Sequence, residues 1–307
     1  MTAPRFSIVI TCFNQRDFIA AAVDSALAQT HRDNEVIVVD DGSVDGSREI
    51  LQRYSDAIQL AVFPTNRGPL EARNHGASLA RGEYLAFLDG DDLFTPWSLE
   101  VYERIIEERG PKIIFGNTEW FKDDLVPSLE HQGGQRQIEF MDYPALMAKD
   151  RAVWLSASVM VMDRQIFHQL GGWSPDIFQM DVYDLAAKLG HAGRTVRVSA
   201  PVTTLYRDHA SNITRNLEPF IRMALYIIKK EKTGQYPHSS AHWLQRQSYF
   251  GGMVAFWIKR AAKAGLYKGS AALALAGWRM VLLAVARRLG LLIKGRRPVS
   301  TLEWPHA

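Results

Sequence analysis

The sequence predicts an α/β fold built on a mostly parallel sheet, followed by a basic helical extension. Three observations carry this. Through residues 1–120, short apolar runs alternate with helical patterns of about 10–15 residues, the signature of parallel βαβ units. Two of the runs end in clustered acid: Val36-Ile37-Val38-Val39 leads into Asp40-Asp41, and Tyr84-Leu85-Ala86-Phe87-Leu88 into Asp89-Gly90-Asp91-Asp92. Finally, the stretch between Glu231 and Glu303 has no Asp or Glu but holds 12 Lys and Arg residues.

Phe6 to Thr11 reads as the first strand. Arg16 to Gln29 reads as a helix with Phe18, Ile19, Ala22, Val23 and Ala26 inward, the 3.6-residue period of an amphipathic face. Glu35 to Asp40 is the next strand, and Asp45 to Tyr54 a helix opened by its own acid. The alternation continues with Ile58 to Phe63, Gly68 to Leu79, and Tyr84 to Leu88. Trp97 to Glu108 is a helix after Pro96, and Lys112 to Phe115 a further strand. In parallel sheets, ligands bind beyond the carboxyl ends of the strands, where Thr11, Asp40 and Asp89 fall. Residues 121–150 are polar and Gln-rich and predict little. Ser156 to Met162 reads as a strand. Asp163 is placed to cap a helix stopped by Gly171-Gly172. Asp181 to Ala192 is another helix, Val196 to Tyr206 is extended around Pro201, and from about Asn216 the pattern is helical. The expected division is a catalytic unit over 1–215, with a nucleotide half (1–120) and an acceptor half (121–215), and a basic amphipathic region over 216–307.

At 307 residues and 47% hydrophobic content, the chain is long and apolar enough for one large globular domain with an appendage. Cys12 is the single cysteine, so no intrachain disulfide forms. The start, Met1-Thr2-Ala3-Pro4-Arg5-Phe6, lacks a signal-peptide core. No stretch of about 18 uncharged apolar residues predicts a spanning helix. The net charge of +3 conceals a split: with +12 in the tail, the rest of the chain is left at −9. The acidic part suits a cytoplasmic enzyme and the basic tail an anionic surface.

Three carboxylates within four residues repel one another at the mouth of a strand. Oxygen-only clusters of this kind suit hard cations, Mn²⁺ or Mg²⁺, that hold phosphate. The motifs around the cluster resemble those of the family 2 glycosyltransferases, which have the GT-A fold. Ser7-Ile8-Val9-Ile10-Thr11-Cys12-Phe13-Asn14 is similar to the family's first strand and nucleotide loop. Val38-Val39-Asp40-Asp41-Gly42-Ser43-Val44-Asp45-Gly46-Ser47 is similar to its second signature. Asn66-Arg67-Gly68 with Ala72-Arg73-Asn74-His75-Gly76 is similar to its third, and Asp89-Gly90-Asp91-Asp92 occupies its metal motif. The resemblance covers roughly residues 5–215, and the four motifs in order make it specific.

The resemblance implies an inverting transferase that uses a nucleotide-diphospho-sugar, a UDP-sugar by preference. Thr11, Phe13 and Asn14 follow the first strand, with Phe13 placed to stack on a base. Of Asp40 and Asp41, one accepts from the base and the other caps the turn. Arg73 reaches base or phosphates. Asp89 and Gly90 sit at the ribose, Asp91 is the direct metal ligand, and Asp89 also serves the metal's water shell. The family's base is the Glu of a Glu-Asp pair after a Gly-Gly turn. With Asp184-Leu185 held in register, Asp181 falls on that Glu and Val182 on the Asp, a departure from the pattern. Asp181 is the expected base and Asp184 the alternative. Tyr206-Arg207-Asp208-His209 resembles a late motif in which Arg207 clamps a phosphate and His209 meets the diphosphate or completes the metal shell. Trp154 and Trp173 line the acceptor site or pack in the core.

In the tail, Phe250, Met253, Val254, Trp257, Ile258 and Ala261 form one apolar face, with Lys259, Arg260 and Lys263 on the opposite face or its flank. Cationic amphipathic helices with Trp lie in membrane interfaces. The expected placement is therefore peripheral, on the inner face of the cell membrane, with a lipid-linked or cell-surface glycan acceptor. The alternatives for this face are packing on the catalytic unit or a homo-oligomer interface. Nucleic acid is not expected, since the apolar faces exceed what phosphate contact requires. A non-catalytic nucleotide-sugar binder or scaffold is the competing class, and Val182 is the residue that keeps it open.

Overall fold

Seven consecutive buried residues, Phe6–Cys12, form strand β1 at the centre of the fold. The computed structural model describes residues 3–122, 126–127, 138–141, 156–189, 194–210, 212, 216–236 and 243–290. β1 pairs in parallel with β2 (Asn34–Asp40) and with β4 (Tyr84–Asp89), and β2 pairs in parallel with β3 (Gln59–Val62). β5 is Leu93–Phe94, β6 Ile113–Phe115, β7 Thr118–Lys122, β8 Ile138–Met141, β9 Met160–Asp163, β10 Thr195–Val198 and β11 Thr204–Asp208. The main sheet has eight strands in the order β3-β2-β1-β4-β9-β6-β10-β8. β9 is antiparallel to both β4 and β6, so the sheet is parallel on one side and mixed on the other. A second, three-stranded sheet has the order β5-β11-β7 and stands over the carboxyl end of β4.

Residues alternate across β1 with a period of two. Phe6, Ile8 and Ile10 face helices α1 (Ile19–Leu27) and α4 (Ser98–Arg109), while Val9 packs with Leu70 and Ala77 of α3 (Pro69–Leu79). α2 is the short helix Ser47–Gln52. As the sequence predicts, Asp163 caps α5 (Arg164–Gln169), accepting from the Ile166 N–H at 3.1 Å. Gly171 and Gly172 follow with φ of 74° and 63°. α6 is Asp181–Lys188.

The last helices among the described residues are α7 (Leu217–Lys232), α8 (Trp243–Lys263) and α9 (Tyr267–Arg288). They share one continuous apolar cluster with Val9, Phe87 and Leu185 of the earlier elements. This corrects the expectation for the face Phe250 to Ala261: Phe250, Met253, Val254, Trp257 and Ala261 are buried against the protein and are not available to a bilayer. Periodicity reports that a face is covered, not by what. A buried ion pair, Arg246 Nε to Glu231 at 2.9 Å, ties α7 to α8, and Gln247 Nε2 donates to the same carboxylate at 2.6 Å. α8 and α9 approach closely because two glycines meet them. A Cβ on Gly251 would lie 1.9 Å from the Met280 carbonyl oxygen, and one on Gly277 2.8 Å from Val254 Cγ1.

The outer face of α9 is different. Leu275, Trp278, Leu282, Val285 and Leu289 are exposed and recur at steps of three and four residues, with exposed Lys268, Arg279 and Arg288 among them. By length and composition α9 is also apolar enough to cross a membrane, with a mean hydropathy of 1.6. Its inner face, Leu273, Gly277, Met280 and Ala284, is buried in the fold.

Candidate active site

The carboxyl ends of β1, β2 and β4 open onto a cavity of about 590 Å³. Thr11, Phe13, Asn14, Asp41, Asp89 and Asp91 line it from the strand ends, and Arg73 and Asp181 from α3 and α6. Phe13 is 44% exposed and free to stack on a planar ligand. Asn14, at φ 51°, accepts from the Val44 N–H at 3.0 Å and so ties the β1 loop to the loop after β2.

The two acids after β2 differ in task. Asp40 is fully buried, accepts from the Ser43 N–H at 3.1 Å and pairs with Arg48 at 3.0 Å; it does not line the cavity. It is the turn-capping member of the pair. Asp41 lines the cavity while accepting from the backbone N–H groups of Arg67 and Gly68 at 2.7 and 2.8 Å. Burial lifts its carboxyl above the usual range, against the pull of those two donors.

Arg73 is the centre of the site. Its Nη2 donates to Asp89 at 2.6 Å and its Nη1 to Asp181 at 2.8 Å. Burial opposes its charge, but the two carboxylates overcome it and hold the guanidinium pKa above the ordinary value. Asp181 is raised, chiefly by burial, with Arg73 pulling the other way. Trp173 lies beneath this arginine, its ring centroid 5.4 Å from the guanidinium carbon, and is 1% exposed in an edge-to-face contact with Phe87. Trp173 therefore supports Arg73 from the core and does not line the cavity. Asn74 fixes that loop by exchanging two hydrogen bonds with the Trp173 backbone at 2.8 and 2.9 Å.

At the end of β4, the Gly90 N–H bonds to the Thr11 carbonyl at 3.0 Å, and a Cβ there would fall 2.3 Å from Gln15 Oε1. Gly90 brings the ends of β1 and β4 together and is absent from the cavity wall. Asp92 turns inward, accepting from Ser158 Oγ at 2.6 Å and the Arg207 N–H at 3.1 Å. Burial, then the neighbouring charges of Asp91 and Asp89, push its carboxyl well above the usual range. Asp91 faces the cavity, with its Oδ2 3.0 Å from His209 Nε2. Arg207 Nε donates to the Asp91 carbonyl oxygen at 3.1 Å, and its guanidinium lies over Phe18 and Phe121, so it braces the metal-motif loop from behind the cavity. The Asp91–His209 pair fits a divalent cation. It offers one carboxylate and one imidazole, and Mn²⁺ or Mg²⁺ sites of this kind take their remaining ligands from substrate phosphate and water. No cluster of three metal-ligating side chains occurs among the described residues.

Asp184 is not brought into the cavity. It is 1% exposed, bonded to Lys230 at 2.7 Å, Tyr236 Oη at 2.6 Å and Ser174 Oγ at 2.7 Å, with Lys188 at 3.2 Å. Burial disfavours its charge, but Lys188 and these donors hold its carboxyl below the usual range. It is a structural ion centre that joins α6 to α7. Trp154 lies outside the described residues.

Several cavity residues are not evident from the motifs. Gln179 holds a left-handed φ of 73° and has a buried Oε1 without a partner. Phe220, Phe256, Trp257 and Arg260 come from α7 and α8. The i, i+3, i+4 spacing of the α8 residues is the only sequence signal they give.

The pattern "Glycosyl transferase family 2" matches residues 7–171, more than half of the chain. The chain belongs to glycosyl transferase family 2. It is 39% identical over 107 residues to an uncharacterised Nostoc glycosyltransferase, a match covering 34% of this chain and 32% of that protein, so the chain spans about a third of that relative's length. It is 28% identical over 214 residues to WfaP of Escherichia coli, covering 68% of this chain and 80% of that protein; WfaP is named as a UDP-Glc:α-D-GlcNAc-diphosphoundecaprenol β-1,3-glucosyltransferase. Its fold matches Staphylococcus aureus TarS 1–349 in complex with UDP-GlcNAc at a TM-score of 0.66 and 16% identity, over 94% of this chain and 83% of that one. The fold of this family member is GT-A, with the C-terminal helices packed onto it.

Proposed function

We propose that this chain is an inverting glycosyltransferase that moves a sugar from a nucleotide-diphospho-sugar, a UDP-sugar before others, to a lipid-linked or cell-surface glycan precursor. One observation carries the reading. Arg73 bonds at once to Asp89, at the donor end of β4, and to Asp181, at the head of α6, across a single cavity. Inverting displacement needs an acid-lined donor site and a carboxylate base on the attacking side, in fixed relation. Family membership, WfaP's name and the UDP-GlcNAc in the TarS complex support a nucleotide-sugar donor, and the diphosphoundecaprenol in WfaP's name supports a phosphate-linked acceptor.

In this reading Phe13 stacks on the base and Asp41 accepts its N–H, while Thr11, Asn14 and Asp89 border the ribose. Asp181 takes the proton of the acceptor hydroxyl as that oxygen attacks the anomeric carbon from the face opposite the diphosphate. The bond to the diphosphate oxygen breaks, and the nucleotide leaves with the electron pair. Arg73 keeps Asp181 oriented and ionised. Asp91 and His209 would hold Mn²⁺ or Mg²⁺, with Asp89 beside its water shell; the cation, when bound, stabilises charge on the leaving diphosphate. The division into a catalytic unit over 1–215, with a nucleotide half (1–120) and an acceptor half (121–215), and a basic helical region over 216–307 belongs to the same reading, with α7 and α8 of the helical region adding to the cavity wall. The exposed apolar stripe of α9, with its basic flanks, supports a peripheral position on an anionic membrane face as part of this reading.

UDP release from a panel of UDP-sugars, with and without Mn²⁺, tests the reading. A ligand at 100 times its Kd also raises folding stability by about 2.7 kcal/mol, visible as a thermal shift. Asp91→Asn and excess chelator are each expected to abolish turnover while the fold survives. Full activity in chelator would defeat the metal-assisted route, and binding without any turnover would leave a nucleotide-sugar binder.

A further inference from the structure

This inference rests on the transferase reading and adds the chemistry of its acceptor. Away from the strand ends, the cavity wall is made by the C-terminal helices. Phe220 of α7 and Trp257 of α8 stack with centroids 4.6 Å apart and an interplanar angle of 20°. The guanidinium carbon of Arg260 lies 5.5 Å from the Trp257 centroid. Trp257 is 5% exposed, and Phe256 beside it is 41% exposed at the opening.

The cavity has two arginines, and they differ in one respect. Arg73 has a carboxylate on each arm, whereas no carboxylate pairs with Arg260 among the described residues. A guanidinium held over an indole, with its fork unneutralised, is prepared for a planar or tetrahedral oxyanion. Its setting reinforces this, because residues 232–302 contain no acid to compete for it. Aromatic rings alone would suffice to wall in a neutral saccharide; the cation requires a further group on the ligand. We propose that Arg260 recognises a phosphate or diphosphate ester carried by the acceptor, next to the saccharide whose hydroxyl faces Asp181. Phe220, Phe256 and Trp257 cover the apolar or sugar face beside that ester. The ester has two sources of the same chemistry, a lipid carrier diphosphate or a soluble polyol-phosphate chain.

The test uses the full chain saturated with UDP and Mn²⁺. Farnesyl diphosphate, farnesol and sn-glycerol 3-phosphate are titrated by calorimetry into wild type, Arg260→Gln and Arg260→Lys, after a UDP titration of each protein. Farnesyl diphosphate is expected to bind wild type and to lose about tenfold or more in affinity in Arg260→Gln, the scale of one charge-assisted hydrogen bond. Arg260→Lys recovers part of that loss, and farnesol does not distinguish the three. If glycerol 3-phosphate shows the dependence on Arg260 and farnesyl diphosphate does not, phosphate recognition stands and the source is the soluble chain. Equal affinity of wild type and Arg260→Gln for both phosphates, or no binding of either by wild type, overturns the proposal. So does a parallel fall in UDP affinity in Arg260→Gln, which would put the cation on the donor. Failure of wild type to bind UDP strikes the transferase reading instead; the phosphate titrations, repeated without UDP, then judge Arg260 alone.

Discussion

The two ends of the cavity, donor and acceptor in the proposed function, are built on different plans. The donor end is made from short segments at the tips of β1, β2 and β4, whose cavity-facing residues lie within two or three positions of the strand ends. The acceptor end is assembled from α6, α7 and α8, whose contributing residues are separated by up to 79 positions between Asp181 and Arg260. The donor end is held by backbone: Asp41 accepts two N–H groups, and Gly90 binds the Thr11 carbonyl. The acceptor end is held by side-chain ion pairs, Asp184 with Lys230 and Glu231 with Arg246. Chemistry written on strand tips is rigid by construction, whereas a wall of packed helices is as firm as its buried charges.

The largest effect is expected where the ends meet. Asp181→Asn should lower kcat by about 10²–10⁴ with donor affinity little changed, as expected when a general base is removed. Because burial raises the Asp181 carboxyl, the acid limb of the kcat profile in wild type should lie above the ordinary value of 3.8, since the base works only when ionised. Equal loss in kcat and UDP affinity would move Asp181 to the donor end.

The next test loosens the acceptor end alone. Asp184→Asn leaves Lys230 and Lys188 without their counter-charge and should cost about 3–5 kcal/mol of stability, read by denaturant unfolding. Its folded pKa is depressed, so its contribution is complete above the unfolded value of about 3.9 and is lost as pH falls through the lower folded value. Wild type should therefore show an acid-destabilisation component below about pH 4 that Asp184→Asn lacks. If Asp184→Asn instead abolishes turnover in a fully stable protein, the assignment of base and structural acid is reversed.

The smallest effect concerns the outer surface. Leu282→Glu on the exposed stripe of α9 should weaken co-sedimentation with anionic vesicles by about tenfold, the worth of one apolar side chain. Release of UDP in free solution should not change. Added salt should weaken wild-type binding by screening the basic flanks. Unchanged vesicle binding, together with loss of a dimer on gel filtration, would make the stripe an assembly surface.

The contrast also explains what was legible. Strand tips keep neighbours in sequence as neighbours in space, so Thr11, Asp41, Asp89 and Asp91 could be read as a group, and the parallel core with them. Helix faces do not have that property. The period of Phe250 to Ala261 announced a covered face, yet a bilayer and a protein core leave the same mark on sequence. Asp184 and Asp181 stand one turn apart on α6, and only packing shows that one reaches the cavity and the other meets two lysines. Trp173 carried the same ambiguity and resolved as the platform under Arg73. The antiparallel insertion of β9 between β4 and β6 had no local signal, since Met160, Val161 and Met162 are apolar whichever way the strand runs.

The glycine contacts between α8 and α9 set a length scale. With no Cβ at Gly251 and Gly277, α8 and α9 can approach toward the short end of the usual separation of about 8–10 Å between helix axes. α8 presents Trp257 and Arg260 to the cavity and Gly251 to α9, whose far side carries Trp278 and Leu282. The reacting chamber is thus separated from the outermost apolar surface by little more than two helix layers. An acceptor anchored in a bilayer would need to extend only its first sugar and linking ester beyond the headgroups. Replacing either glycine with a larger residue would lengthen that reach by moving the outer face of α9 away from the chamber.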